Sequence, residues 1–299
     1  MKKPKLILSF AMIVSIAFIF AQEETQSKKR VHLNEFYSQA GFINRSIFIG
    51  SLNDFELLAP QSILLNQDYS SYSANSFYYN HSTSVSHSGM VGVNFGNNSE
   101  NIKKHNSTLR LGLSYISGYS LINTLFKTER NRYDTLTSSQ TGRIIFKDSV
   151  KDETLRMGYF SEQIRFDGSV LFRLNSDGRW SFFTGVGFTA GISFNAFTVI
   201  EKISSSSTET KYEGGFTQRD NNYWSYKLNM ESFRNKSNLG FSAYLPLGVD
   251  FRVGKKREFW RRVYLHYEMR PSIDVVSIPE LKVITSSMVQ YGFGLRFKW

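Results

Sequence analysis

Toward the end of the chain, apolar and polar side chains alternate residue by residue. In 287–299, Val289, Tyr291, Phe293, Leu295, Phe297 and Trp299 share one parity, and Gln290, Gly292, Gly294, Arg296 and Lys298 share the other. Side chains on a strand point alternately to opposite faces, so this pattern predicts a β-strand with one greasy and one polar face. The pattern recurs in 238–253, where Leu239, Phe241, Leu245, Leu247, Val249 and Phe251 oppose Ser242, Tyr244, Asp250 and Arg252. In 262–270, Val263, Leu265, Tyr267 and Met269 oppose Tyr264, His266, Glu268 and Arg270. Segments 180–196, 163–174 and 107–118 behave alike, whereas 84–96 and 35–50 alternate less cleanly. Eight strands are therefore predicted, most of them meeting the ~9–11 residues a membrane-crossing strand needs.

The links between them alternate in length. "NNSENIKKHN", "NSDGR" and "GKKREFWRR" are short, while 52–82, 119–154 and 199–235 are long and polar, and 277–284 completes the series. Short turns on one side and long loops on the other characterise an even-stranded outer-membrane barrel, with the turns and both termini in the periplasm. The expected fold is an all-β, closed antiparallel transmembrane β-barrel of eight strands, with long extracellular loops that extend strands three to six. The link "SLINTLFKTERNRYDTLTSSQTGRIIFKDSVKDE" keeps β-branched and aromatic residues far past the expected membrane boundary. The link in 199–226 adds Tyr223, Trp224 and Tyr226 as candidate contact residues. Protruding strands of this kind either offer edges to which a partner strand could add or form a solvated barrier.

Address and composition agree with this picture. Lys2, Lys3 and Lys5 precede the apolar run Leu6–Phe20, and Ala21 offers a small residue for cleavage, the layout of a secretory signal. The expected division is 1–21 signal peptide, 22–34 periplasmic N-terminal segment and 35–299 barrel. No later run of eighteen apolar residues suggests a helical span. The chain has no cysteine, which excludes disulfides and thiolate metal sites. Its formal charge of +11 points, in an exported protein, to anionic lipid or sugar phosphate rather than nucleic acid. Aromatic residues make up 15% of the chain. Trp180, Phe259, Trp260 and Trp299 all map to the short-turn side, where they would form an aromatic girdle at the membrane interface.

With these strands and the aromatic last residue in view, the chain resembles the small eight-stranded outer-membrane barrels of the OmpA/OmpX kind, and its "AQ" signal junction resembles those of Bacteroidota. The resemblance is architectural and covers roughly 35–299. It implies that Tyr291, Phe293, Leu295, Phe297 and Trp299 form the signal read by the barrel-assembly machinery, with Trp299 in place of the more usual Phe. It also implies outer-membrane lipids and lipopolysaccharide as surroundings, while the protruding loops themselves point to an extracellular protein or glycan as a ligand class.

The barrel interior of eight strands is just wide enough to be filled by side chains. Its polar parity carries Arg110, Arg165, Arg173, Arg252, Arg270 and Arg296 against Asp167, Asp250 and Glu268. Such a set either interlocks as a plug, with Tyr244 and Tyr264 adding bulk, or lines a narrow pore with surplus positive charge. A third reading, a lipid A- or phospholipid-modifying enzyme, would draw on His81 or His87 in "NHSTSVSHSG". His87 and Ser88, however, have opposite parity, and a nucleophile must lie within hydrogen-bond reach of its base. The five histidines show no convincing ligand spacing, and no phosphate loop is present, so neither metal nor cofactor is expected. Lys255, Lys256, Arg257, Arg261 and Arg262 either solvate a turn or meet anionic headgroups.

Overall fold

In a computed structural model of the chain, residues 32–46, 48–74, 81–94, 106–175, 178–213, 215–219 and 225–299 are described. The expected signal peptide, residues 22–31, most of "NNSENIKKHN" and the candidate contact residues Tyr223 and Trp224 lie outside them.

The described chain is mostly β. Its strands are β1 (His32–Ser46), β2 (Phe48–Ile49), β3 (Ser73–Ala74), β4 (His81–Asn94), β5 (Asn106–Thr137), β6 (Ile144–Leu174), β7 (Trp180–Tyr212), β8 (Thr217–Arg219), β9 (Ser225–Arg234), β10 (Leu239–Tyr244), β11 (Leu247–Arg252), β12 (Val263–Ser277) and β13 (Val283–Lys298). Antiparallel pairing runs β1–β4–β5–β6–β7, continues through β10 and β11 to β12 and β13, and returns from β13 to β1. The result is a closed hydrogen-bonded ring of eight strands, β10 and β11 being two halves of the sixth. Closure runs from Glu35 opposite Lys298 to Arg45 opposite Met288.

The sixth strand breaks at Leu245–Pro246. Proline has no N–H to give a neighbouring strand, and Leu245 N instead donates to Pro271 O across the gap (3.0 Å). Three ring strands run far beyond the others: β5, β6 and β7 have 32, 31 and 33 residues. Their outer halves are rich in Thr, Ile, Val and Ser, which suit a pleated, half-buried surface. They pair with each other along their whole length, and β9 joins the far part of β7. The sixth strand is thus represented in the protrusion by a separate piece rather than by a continuous extension.

Alternation sorts the ring residues cleanly. Phe172, Phe182, Val186, Phe188, Ile192, Phe241, Leu265 and Phe293 point outward and are exposed, while their neighbours face in. A register shift between Glu162 and Gln163, opposite Asn195 and Ser193, then reverses the parity of β7. Beyond it Ala196, Thr198 and Ile200 are the buried set. An extra residue in one strand of a pair has this effect.

The link expected as the long polar loop 52–82 is different in its first half. Ser51 caps α1 (Leu52–Leu58): its hydroxyl accepts from Asp54 N (3.2 Å), and its own N–H donates to the Asp54 carboxylate (2.7 Å). Phe55, Leu58, Ala59, Leu64, Leu65 and Tyr69 are buried against Leu121, Leu155, Met157 and Ile200 of β5–β7 and against Val276, Ile278 and Ile284 around the β12–β13 turn. Those strands stand on opposite sides of the ring, so residues 50–74 form a lid across its mouth. The β12–β13 turn beneath it is short, with Leu281 N donating to Ile278 O (3.0 Å).

Candidate functional site

The inner wall carries an unusual load for its width. Arg45, Arg110, Arg165, Arg173, Arg270 and Arg296 are all buried, as are Glu35, Asp167, Asp250, Glu268 and Asp274. Small inward residues make room for them. A Cβ on Gly240 would stand 2.4 Å from Arg165 Nη2 and from Gln163 Oε1, and one on Gly187 would stand 2.3 Å from Tyr244 Cζ. Only glycine permits such close approach.

Three tiers of contacts follow the ring axis. At the centre, Arg110 donates to both Glu268 oxygens (2.8 and 2.6 Å) and through Nε to Ser169 (3.0 Å). Arg270 bridges Glu268 (3.0 Å) and Asp167 (2.7 Å), with its guanidinium 4.8 Å from the Tyr244 ring. Asp167 also accepts from the hydroxyls of Ser114 (2.8 Å) and Tyr244. Gln39, with its amide turned to suit its neighbours, donates to Glu268 (3.2 Å) and accepts from Arg270 (2.8 Å).

Toward the short turns, Asp250 gathers Arg296 (2.7 Å), Arg173 (3.4 Å) and His266 Nδ1 (2.6 Å). His266 Nε2 lies 3.1 Å from Glu268, linking this tier to the centre, and the ring stacks on Phe183. Arg173 further donates to Glu35 (3.0 Å), Thr108 (2.9 Å) and the Tyr37 hydroxyl, which itself donates to Glu35. Arg296 lies over the Tyr264 ring (4.0 Å).

Toward the lid, Arg165 (2.5 Å) and Arg45 (3.0 Å) flank Asp274. Arg165 Nε donates to Gln163 (2.6 Å), Gln163 to Asn238 (2.6 Å), and Asn238 to the Tyr159 hydroxyl (2.8 Å).

Of the residues singled out from sequence, the structure brings Arg110, Arg165, Asp167, Arg173, Asp250, Glu268, Arg270 and Arg296 into this interior. Arg252 sits at its edge, half-buried, with Nε donating to the Tyr264 hydroxyl (2.9 Å). Sequence reasoning missed Glu35, Asp274, Arg45 and the bridging His266. The expected surplus of cations over acids shrinks accordingly, to six guanidinium groups against five carboxylates among the described residues.

Trp180, Phe259, Trp260 and Trp299 are exposed at the short-turn end. Trp180 packs on Phe251 (4.6 Å), Trp260 O accepts from Gly254 N (3.1 Å), and Trp299 N donates to Asn34 O (3.1 Å). Tyr291, Phe293, Leu295, Phe297 and Trp299 share the outward parity of the last strand. His87 is exposed beside Tyr115 whereas Ser88 is buried, so the two lie on opposite faces. No cluster of metal-ligating side chains occurs among the described residues, and no described helix is long and apolar enough to cross a membrane.

The ring and its charged interior define the class as far as geometry can: a closed eight-stranded antiparallel β-structure, apolar outside and ionic within. No protein-family model matches the sequence, and no curated protein matches it. Among solved structures, it is similar to Neisserial surface protein A at 12% identity, covering 88% of this chain and 97% of that one, with a TM-score of 0.32. It is similar also to the attachment invasion locus protein of Yersinia pestis (11%, covering 89% and 100%, TM-score 0.24). The translocator domain of the Neisseria meningitidis autotransporter NalP follows (6%, covering 99% and 96%, TM-score 0.21). At such scores the likeness assigns neither fold nor function, and both rest on the chain's own geometry.

Proposed function

We propose that this chain is an integral outer-membrane β-barrel with a lumen plugged by its own side chains, and that its work is done at the surface rather than by conduction. One observation carries the reading: the ring turns its apolar residues outward while ionic side chains interlock across its interior. A contiguous apolar belt of this size on a water-soluble monomer would be exceptional. Buried charges, for their part, are tolerated only when paired and hydrogen-bonded. The lid at 50–74 adds an apolar seal above the charged tiers.

In this reading 1–21 is the signal peptide, the short turns and both termini are periplasmic, and Trp180, Phe259, Trp260 and Trp299 ride at the inner interface. The final strand, with Tyr291, Phe293, Leu295, Phe297 and Trp299, is presented to the barrel-assembly machinery. Lipopolysaccharide surrounds the opposite rim. The protruding strands β5, β6, β7 and β9 form the extracellular contact surface for a protein or glycan partner. The outer edge of β9, which pairs only with β7 among the described residues, offers a protein partner's strand a place to add.

The test is planar-bilayer recording of the detergent-purified, heat-modifiable protein. The expected trace is flat. Reproducible conductance steps would replace the plug with a pore.

A further inference from the structure

Among the described residues, the turn joining β11 to β12 holds the most concentrated charge at the short-turn end. Lys255, Lys256, Arg257, Arg261 and Arg262 are all exposed within eight residues. The turn's single acid, Glu258, is held by Arg262. Among the described residues no carboxylate pairs with the side chains of Lys255, Lys256, Arg257 or Arg261. In the interior of the same protein nearly every guanidinium has its acid, so this surplus is local and outward-facing.

Two further features bear on what it could face. First, the cations are interleaved with Phe259 and Trp260, which are 61% and 44% exposed and packed edge to face (5.1 Å). The Trp260 indole, apolar with one N–H, gains from a medium that is oily below and wet above, and the Phe259 ring gains from its oily side. Second, the turn is fixed rather than free. Val253 N donates to Val263 O (3.0 Å), Gly254 N to Trp260 O (3.1 Å) and Arg262 N to Phe259 O (3.0 Å). Lys298 N reaches Arg262 O (2.9 Å), tying the turn to the last strand. Cations and aromatics are therefore presented together, at one level, beside the outward apolar face of β11–β13.

We infer that this turn is a binding surface for the phosphate headgroups of anionic glycerophospholipids in the leaflet at the short-turn end, with Lys255, Lys256, Arg257 and Arg261 meeting phosphate and Phe259 and Trp260 seated among the glycerol and upper acyl carbons. The inference rests on the membrane-spanning reading above and adds a lipid preference to it. Charge complementarity selects the occupant: a zwitterionic surface offers these four cations no net field, whereas an anionic one attracts each by about fivefold in partitioning.

The experiment uses the full mature chain with Trp260 as its only tryptophan (Trp180→Phe, Trp224→Phe, Trp299→Phe), its folding checked by heat-modifiable migration. The protein is reconstituted in phosphatidylcholine bilayers containing either brominated phosphatidylglycerol or brominated phosphatidylcholine at matched fractions, and Trp260 quenching is recorded. The anionic probe is expected to associate at least ~3-fold more strongly, given about fivefold per fully engaged charge. Lys255→Gln, Lys256→Gln, Arg257→Gln and Arg261→Gln combined should equalise the two probes, as should high salt. Equal quenching in the parent protein overturns the lipid preference alone. If neither brominated lipid quenches Trp260, the turn is not at a bilayer, and the membrane-spanning reading falls with it.

Discussion

Arg110 and Glu268 meet in a two-pronged ion pair at 2.8 and 2.6 Å, although they lie on strands from opposite sides of the ring and neither side chain is reached by solvent. The pair spans the interior rather than lining it. Glu268 also serves Arg270 and His266, so it is the point through which the central and lower tiers communicate.

Glu268→Gln should therefore be among the most damaging single changes. It leaves Arg110 and Arg270 facing a neutral amide in an interior closed to bulk solvent, where breaking a buried pair costs about 3–5 kcal/mol. The expected result is a lower midpoint in the heat-modifiability transition. An unchanged midpoint would mean that the interior is wet enough to screen these charges.

Gly187 and Gly240 make a second test because their role is purely one of space. Gly240→Ala places a methyl against Arg165 and Gln163, and Gly187→Val drives into the Tyr244 ring. Overpacking of this kind costs about 1–3 kcal/mol. Urea titration of the purified protein should show it, with Gly187→Val more harmful than the same change at the outward-facing Ala190. Equal tolerance at both positions would argue against a filled lumen.

The lid is held by a latch that acid should release. Tyr72 donates to Glu153, Lys151 Nζ lies 2.7 Å from it, and Lys202 lies 3.7 Å away. Burial pushes the Glu153 carboxyl up, but Lys151, Tyr72 and Lys202 outweigh it and bring it down to about 2. A lowered carboxylate adds stability at pH values above its ordinary value, and that contribution fades as pH falls toward 2. Of the groups around Glu153, only Tyr72 belongs to 50–74, so lid opening loses its share of the lowering alone. Backbone amides of 50–74 should thus exchange modestly faster at pH 2 than at pH 6 once intrinsic rates are corrected, and Glu153→Gln should abolish that difference. No difference in the parent protein would remove the latch.

Phe55→Ala separates the lid from the plug. Loss of a buried ring costs about 3–5 kcal/mol, and here the cost falls on the contacts that hold 50–74 against β5–β7 and the β12–β13 turn. Protease cleavage within 50–74 should accelerate while bilayer recordings remain silent, because the ionic tiers below are untouched. Conductance from this variant alone would identify the lid, not the charges, as the seal.

The ring strands were legible because each strand has two simple faces: apolar side chains outside, polar and charged ones inside, and a period of two between them. Phe182, Val186, Phe188 and Ile192 report that directly. Legibility ended where a local irregularity or a distant partner decides. The bulge opposite Glu162 reverses the parity of β7, which alternation alone does not reveal. Glu35 sits in the least regular strand and Asp274 beyond Pro271, so neither was counted against the arginines. Phe55, Leu58 and Leu64 fit no strand period, because they pack on residues far away in sequence such as Leu155 and Ile284. His266 stood on the correct parity, but parity does not reveal that it touches both Asp250 and Glu268.

The pairing of β1 with β13 has a consequence for biogenesis. Glu35 and Lys298, opposite one another in the finished ring, are almost a whole chain apart, so the closing contact is the last that synthesis makes available. Until it forms, two raw edges and a sticky flank are on display, and contacts of such long range are slow to find. A nascent molecule of this design therefore carries both edges unpaired until its final strand is made, and the ring is complete only when Glu35–Arg45 and Met288–Lys298 have met.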